Sequence, residues 1–424
     1  MTPKRKFDRI VFVGGMIPDQ LRDEVLPLVR NNLVASGEVL QRSLVKGLTQ
    51  YGAPMAVLSS MHVGTYPRSY GRPHIRGGDY SLDGGTKLVN TSFWNLPLVG
   101  IWSRARGLTR AFGANVQDDA QKTLVVVYSL TDFNSAFLTK LAKDEVRERL
   151  LICLVVTDLP QNMVMYAPSG ERLRRLYHAA RRRLTARVLR NALAVSDCLV
   201  AMTPQIPFSL GMQGRPHYVM RGMVDTAKYD AVRVQHVPDH SGARRVTYTG
   251  GLEVELGVGD LLEAFDGIED EGAVLVLCGD GSLRPLVEER ARRNGRIRFL
   301  GRLTHDATLL EQLRADVLVS PSPSQGSISE NSFPAKLLEY LYSGNPVVSR
   351  RLPGIPNEIL PLLHLTEGDS VAALRQTIEQ ALREPEQQRR SRSDEALAYI
   401  RGSMSIESQV AGLIRMVTEV ENAR

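Results

Sequence analysis

Short apolar runs alternate with amphipathic helical stretches along the whole chain, in two blocks separated by a segment with neither period. In the first block the candidate strands are residues 10–13, 55–59, 124–128, 152–157 and 198–202, with 218–220 weaker. In the second they are 246–249, 274–278, 297–300, 316–320 and 346–349. Continuous apolar strands stopped by glycine or serine and joined by helices are the pattern of a parallel sheet covered on both faces. The fold class expected is therefore α/β, with two doubly wound domains. Residues 233–245 lose the periodicity, and Val237-Pro238-Asp239-His240-Ser241-Gly242 reads as a linker. This sets domains at 1–232 and 246–404, with a last helix inside 405–424 expected to cross back to the first domain. Residues 61–92, rich in Gly, Tyr, Arg and His, read as an excursion from the sheet. Ligands of such sheets bind beyond the carboxyl ends of the strands, so a cleft between the two domains is the expected site.

A chain of 424 residues, 43% hydrophobic and 23% charged, can bury two cores and is not a disordered composition. Cys153, Cys198 and Cys278 all lie in apolar runs, and their spacing suggests neither zinc nor a disulfide framework. No cofactor or metal is expected. The first eight residues lead straight into a strand, and no run reaches the ~18 apolar residues of a membrane span, so a cytosolic protein is expected. Residues 171–190 hold eight arginines and one acid, a surplus equal to the net +7 of the entire chain. Leu173, Leu176, Tyr177, Ala180, Leu184 and Val188 give the segment a helical apolar stripe. Its arginine face suits an anionic membrane or a pyrophosphate-linked lipid, or is simply solvated. Nucleic acid is not expected, because no aromatic interleaving or reading motif accompanies the charge.

The richest segment is Ser332-Phe333-Pro334-Ala335-Lys336-Leu337-Leu338-Glu339-Tyr340, followed by Gly344-Asn345-Pro346. It predicts a helix opening on Pro334 and closing at Gly344. The first-turn amides and positive dipole end make a seat for phosphate. Lys336 and Glu339, three apart, share a face. A cation at the helix start and a carboxylate one turn deeper would suit a diphosphate followed by a ribose diol.

With Tyr248-Thr249-Gly250-Gly251-Leu252, Leu277-Cys278-Gly279-Asp280-Gly281, Phe299-Leu300-Gly301 and Ala315-Asp316-Val317-Leu318-Val319-Ser320-Pro321-Ser322, this segment resembles the retaining GT-B glycosyltransferases of the group 1 (family 4) kind. Within that family the chain looks most like transferases of bacterial exopolysaccharide and capsule assembly, on Val127-Tyr128-Ser129-Leu130, Cys153-Leu154-Val155-Val156-Thr157-Asp158-Leu159-Pro160 and Phe333-Pro334-Ala335-Lys336. The resemblance implies two Rossmann-like domains facing a cleft. It implies a UDP- or GDP-sugar donor, UDP being favoured, and a saccharide or polyprenyl-diphosphate-linked acceptor. It also implies transfer with retention and without a metal, on the inner face of a membrane.

By the same resemblance Glu339 holds the donor ribose. The loop from Ser327 to Ser332 lies under the donor sugar, with Ser329 and Glu330 reading its hydroxyls and Ser332 and the Phe333 amide facing the nucleotide. Backbone near Arg302 and Leu303 holds the base. Gly250, Gly251, Gly279 and Gly281 border the diphosphate, while Gly279-Asp280-Gly281 also reads as a plain strand-to-helix turn. The family's first glutamate is replaced by Asn331, and its arginine and lysine around the glycine loop by Gly251 and Leu256. Lys336 is then the replacement cation. Asp158, ending a strand where relatives carry histidine, is a candidate to orient a hydroxyl, or a helix cap. Gly14-Gly15 would let acceptor or phosphate approach the backbone. His62 and His74 are either surface residues or acceptor contacts, and the turn Met220-Arg221-Gly222-Met223-Val224-Asp225 reads as structural. Two other readings stay open, a non-catalytic partner subunit of this architecture and a sugar-nucleotide epimerase, though no acid/base set assembles for the latter.

Overall fold

The computed structural model describes residues 6–30, 35–82, 85–97, 99–116, 121–143, 145–157, 186–235, 242–324 and 334–424. Its contacts divide the chain into two units, Met1–Met220 with Val410–Arg424, and Arg221–Gln409.

The first unit is built on strands β1 (Arg9–Gly14), β2 (Met55–Ser59), β3 (His74–Ile75), β4 (Gly78–Ser81), β5 (Lys87–Asn90), β6 (Phe93–Trp94), β7 (Thr123–Tyr128), β8 (Leu150–Val156), β9 (Cys198–Ala201) and β10 (His217–Val219). Eight of them form one sheet in the order β10-β9-β8-β7-β1-β2-β5-β4. All its pairings are parallel except that of β4 with β5. Every residue of β7 and β8 is buried, which is why these strands read as unbroken apolar runs rather than alternating ones. Helices Val99–Asn115 and Asp132–Leu141 cover one face, setting Leu108, Phe112, Phe133 and Phe137 against Val11, Val125, Val127 and Ile152. Each such side chain contributes about 1.5–3 kcal/mol over its exposed state. Cys153 and Cys198 stand opposite each other across β8 and β9, both fully buried.

In the second unit β11 (Arg244–Thr249), β12 (Ala273–Cys278), β13 (Ile297–Gly301), β14 (Val317–Ser320), β15 (Val347–Ser349) and β16 (His364–Leu365) form an all-parallel sheet, ordered β13-β12-β11-β14-β15-β16. Successive residues of β14 feed opposite faces. Val317 and Val319 pack with Leu261, Phe265 and Leu277, whereas Leu318 packs with Leu337, Tyr340, Leu341 and Val347.

Two expectations change. The division falls at Met220 and Arg221, not in 233–245, because the Thr226–Val234 helix buries Tyr229 and Val232 in the core of the second unit. Part of the 61–92 excursion belongs to the sheet, since β5 pairs with β2 and carries β4 outside it. The last helix, Ile406–Ala423, contributes Val410 onward to the first unit, where Arg424 donates to the Leu150 carbonyl at 2.7 Å. Among the described residues no helix is long and apolar enough to cross a membrane.

Candidate functional site

The segment following residue 333 forms a helix over Lys336–Ser343, shorter at its start than the sequence suggested. Pro334 lies before it. Its carbonyl accepts from Leu337 N–H at 2.8 Å, an i→i+3 bond that makes the entry a tight turn. At the other end Gly344 takes φ +83°, the left-handed cap glycine supplies without a Cβ penalty.

Lys336 turns its ammonium inward. Nζ lies over the Tyr248 ring, 4.1 Å from its centroid, and a Cβ built on Gly250 would stand 3.8 Å from it. The Tyr248 hydroxyl donates to the Gly251 carbonyl at 2.6 Å, which fixes the ring beneath the cation. Among the described residues Nζ is buried with no hydrogen-bond partner. Burial lowers its pKa to about 7. A cation–π contact is worth about 0.5–2 kcal/mol, less than the several kcal/mol that desolvating an ammonium costs. Among the described residues, then, this amine has no counter-charge to offset its burial.

One turn along, Glu339 is held from two sides. His305 Nε2 lies 3.1 Å from Oε1, and Gln312 Nε2 donates to Oε2 at 3.2 Å. Gln312 also donates to Thr249 Oγ1 at 3.1 Å and accepts from Tyr229 OH at 3.2 Å. The Tyr340 hydroxyl accepts from Thr249 N–H at 2.8 Å and donates to the Thr249 carbonyl at 3.0 Å. The end of β11 is thereby tied to both helices. A carboxylate offers about four lone-pair sites, so two neighbours leave room for hydroxyl donors. His305 gets its place from Thr304, whose side chain accepts from Ala307 N–H and caps the His305–Leu313 helix.

The chain leaving β14 is clamped by a fully buried arginine. Arg350 donates to the Pro321 carbonyl at 2.8 Å, to Asp260 Oδ2 at 2.7 Å and to the Asp369 carbonyl at 2.6 Å. The Asp369 carboxylate accepts from the amide and the hydroxyl of Ser324. Gly257, at φ +73°, lets this chain pass, for a Cβ there would fall 2.1 Å from the Pro321 oxygen.

The glycine loops are interlocked. Gly250 N–H donates to the Cys278 carbonyl at 2.9 Å and Gly279 N–H to the Gly301 carbonyl at 2.8 Å. A Cβ on Gly279 would lie 1.8 Å from the Gly250 oxygen. Gly281 N–H turns to Asp280 Oδ1 at 3.0 Å. Residues 279–283 join β12 to the Arg284–Arg293 helix, and Gly250 lies beside Lys336. Arg302 is exposed and Leu303 half-buried, directly before Thr304. Asp158, Ser329, Glu330, Asn331, Ser332 and Phe333 lie outside the described residues, as does 171–185; of the basic segment, Arg187 and Arg190 are exposed.

In the first unit the space at Gly14-Gly15 is filled from within. A Cβ on Gly14 would meet Gln41 Oε1 at 2.3 Å, and one on Gly15 would meet the His62 ring at 1.9 Å. Gly15 N–H already donates to Gln41 Oε1 at 2.7 Å. An acceptor contacting that amide would first have to displace Gln41. Burial lowers the His62 pKa to about 3, with the neighbouring Arg104 adding to the effect. Arg104 is buried as well, and burial lowers its pKa to about 9. It donates to the carbonyls of Ser60, Met61 and Val63 and to Asn95 Oδ1, and sits 3.7 Å from the Phe93 ring centroid.

His305, Gln312 and Arg350 were not singled out from sequence, and Tyr340 stood in the segment from Ser332 without a role. A capping threonine ahead of His305 and an arginine ending the apolar run 346–349 were the available signals.

Residues 243–384 match the family model described as glycosyl transferases group 1. No curated protein matches the sequence. Among solved structures, sucrose-phosphate synthase from Thermosynechococcus elongatus is similar with a TM-score of 0.68 at 15% identity, over 98% of this chain and 100% of that one. A trehalose-6-phosphate protein from E. coli bound with UDP-2-fluoro glucose gives 0.65 at 12% identity, over 96% and 99%. The catalytic domain of starch synthase IV from Arabidopsis thaliana, bound to ADP and acarbose, gives 0.62 at 10% identity, over 99% and 100%. The fold is that of the GT-B glycosyltransferases, and within the second unit it is residues 243–384 that resemble the group 1 model.

Proposed function

We propose that the protein transfers a hexose from a nucleoside-diphosphate sugar, with UDP as the nucleotide, to a saccharide or lipid-linked oligosaccharide in surface-polysaccharide assembly. The observation that carries this reading is the buried amine of Lys336 beside Gly250, without a hydrogen-bond partner among the described residues and one helical turn from a carboxylate. A donor diphosphate supplies a counter-charge that no described residue gives Lys336, and Glu339 accepts from the ribose hydroxyls while His305 and Gln312 hold it in place. A uridine donor is supported by the E. coli neighbour bound with UDP-2-fluoro glucose, whereas the starch synthase neighbour holds ADP.

In the reaction the bond from the anomeric carbon to the diphosphate oxygen breaks, and the acceptor oxygen bonds to that carbon on the same face. The acceptor proton passes to the leaving diphosphate. Lys336 stabilises the charge that develops on the leaving group, without a metal. Asn331, Ser329 and Glu330 are proposed for the donor sugar, Asp158 for orienting a hydroxyl, and cytosolic contact with a membrane for the setting.

The test is a screen of UDP- and GDP-sugars for binding and slow hydrolysis by the full chain. Saturable binding of one UDP-sugar, weakened by Glu339→Ala, supports the reading. If no sugar nucleotide binds, the enzyme reading fails; binding without turnover on any acceptor favours a non-catalytic partner subunit.

A further inference from the structure

The chain has two tryptophans, and both are half-exposed at one place on the first unit, Trp94 at 52% and Trp102 at 50%. Trp94 ends the β3–β6 ribbon, opposite His74, whose ring centroid lies 4.9 Å away. The ribbon lies on the start of the Val99–Asn115 helix, where Trp94 N–H donates to Ser103 Oγ at 2.9 Å. A Cβ on Gly100 would come within 3.2 Å of the Trp94 carbonyl oxygen. Neighbouring residues face the core, since Phe93 and Ile75 are buried, as are Ala105, Leu108 and Phe112 on the helix. The outward face of the same helix carries Val99, 51% exposed, then Trp102, Arg106 and Arg110, at helical spacing.

A merely solvated face would be polar throughout. Here an apolar tip of Val99, Trp102 and Trp94 is flanked by exposed Arg76, Arg106 and Arg110. The helix itself has no acidic residue. No ion pair to any of these three arginines occurs among the described residues. Tryptophan is the side chain that prefers the boundary between headgroup and acyl chain, and unpaired arginines complement anionic headgroups.

We infer that this face docks on an anionic phospholipid surface, with Trp94, Val99 and Trp102 entering the interface and Arg76, Arg106 and Arg110 on the headgroups. None of these residues belongs to the 171–190 segment; the inference names a surface for the membrane setting proposed above, and its test reads lipid binding alone, whether or not the protein is a transferase.

Because the only two tryptophans lie in this patch, intrinsic fluorescence of the full chain reports its occupancy directly. Phosphatidylcholine vesicles with and without phosphatidylglycerol, some carrying brominated acyl chains, are the probe. Vesicles containing phosphatidylglycerol are expected to shift the emission to the blue, and brominated chains to quench it. Arg106→Gln with Arg110→Gln is expected to weaken binding by roughly tenfold or more, and added salt to weaken it further. Val99→Ser with Trp102→Ser should do the same in a sedimentation assay, while the far-ultraviolet circular dichroism spectrum and unfolding midpoint stay as in the parent and report that the chain is folded. Vesicle binding without a fluorescence change, or binding untouched by these substitutions, assigns the membrane to another surface and overturns the proposal. So does an absence of vesicle binding, or concentration-dependent self-association that protects the tryptophans.

Discussion

Arg104 in the first unit and Lys336 in the second are both cations buried over an aromatic ring, and they differ in everything else around them. Arg104 finds three backbone carbonyls and an amide oxygen, together with the Phe93 ring. Lys336 has the Tyr248 ring and, among the described residues, no acceptor. A cation whose hydrogen bonds are complete ties chain segments together; one whose bonds are missing is destabilising until something anionic arrives. The glycines beside them divide likewise. Gly15 makes room for the protein's own His62, while a Cβ on Gly250 would come into contact with the Tyr248 hydroxyl and Lys336 Nζ.

The largest effect is expected at Arg104. Arg104→Met should leave several buried carbonyls unpaired and cost about 3 kcal/mol or more, near a 10 °C fall in melting temperature. Differential scanning calorimetry measures this, and equal stability would show that those carbonyls are satisfied some other way.

Lys336→Met should behave oppositely. Donor affinity, followed by isothermal titration with a UDP-sugar, is expected to fall about 100-fold. Stability should hold or rise. The sign follows from linkage: the folded-state pKa is lowered to about 7, so between there and the ordinary lysine value the unfolded chain binds the proton that the folded chain has lost. The wild-type protein therefore gains stability as pH rises through that window. The advantage of Lys336→Met should be greatest at and below pH 7 and fade toward alkaline pH, and urea unfolding at a series of pH values would detect it. A stability difference that grows with pH would contradict the burial argument.

A smaller effect is expected at His305. His305→Ala removes one of the two neighbours holding Glu339 and should weaken donor binding by about five- to tenfold. Unfolding midpoints should barely move, since His305 is partly exposed at a helix start. An unchanged affinity would remove His305 from the site.

Much of the fold was legible because its strands are buried on both faces. Met55–Ser59, Thr123–Tyr128 and Ala273–Cys278 appear as unbroken apolar runs wherever one looks along the sequence. What failed to show were elements held by long-range pairing rather than by composition. β5 is a short strand recruited by the edge of β2, and the Thr226–Val234 helix is assigned to its unit by two apolar side chains. In the site, Lys336 and Glu339 stood out because they share one helix. His305 comes from 34 residues away and Arg350 from beyond the next strand, so only the folded chain brings them in. The tightness of the Gly250 and Gly279 loops likewise depends on two strands lying side by side.

If Lys336 receives the donor diphosphate, binding must carry a proton with it. Titrating a UDP-sugar into the protein at pH 8, in buffers of different ionisation enthalpy, gives the number of protons taken up on binding. The diphosphate of a UDP-sugar does not titrate near this pH, so uptake reports the protein. With a free-state pKa of about 7, uptake should approach one proton per donor bound, and Lys336→Met should abolish it. Tight binding with no proton uptake, or uptake that survives Lys336→Met, would contradict the account.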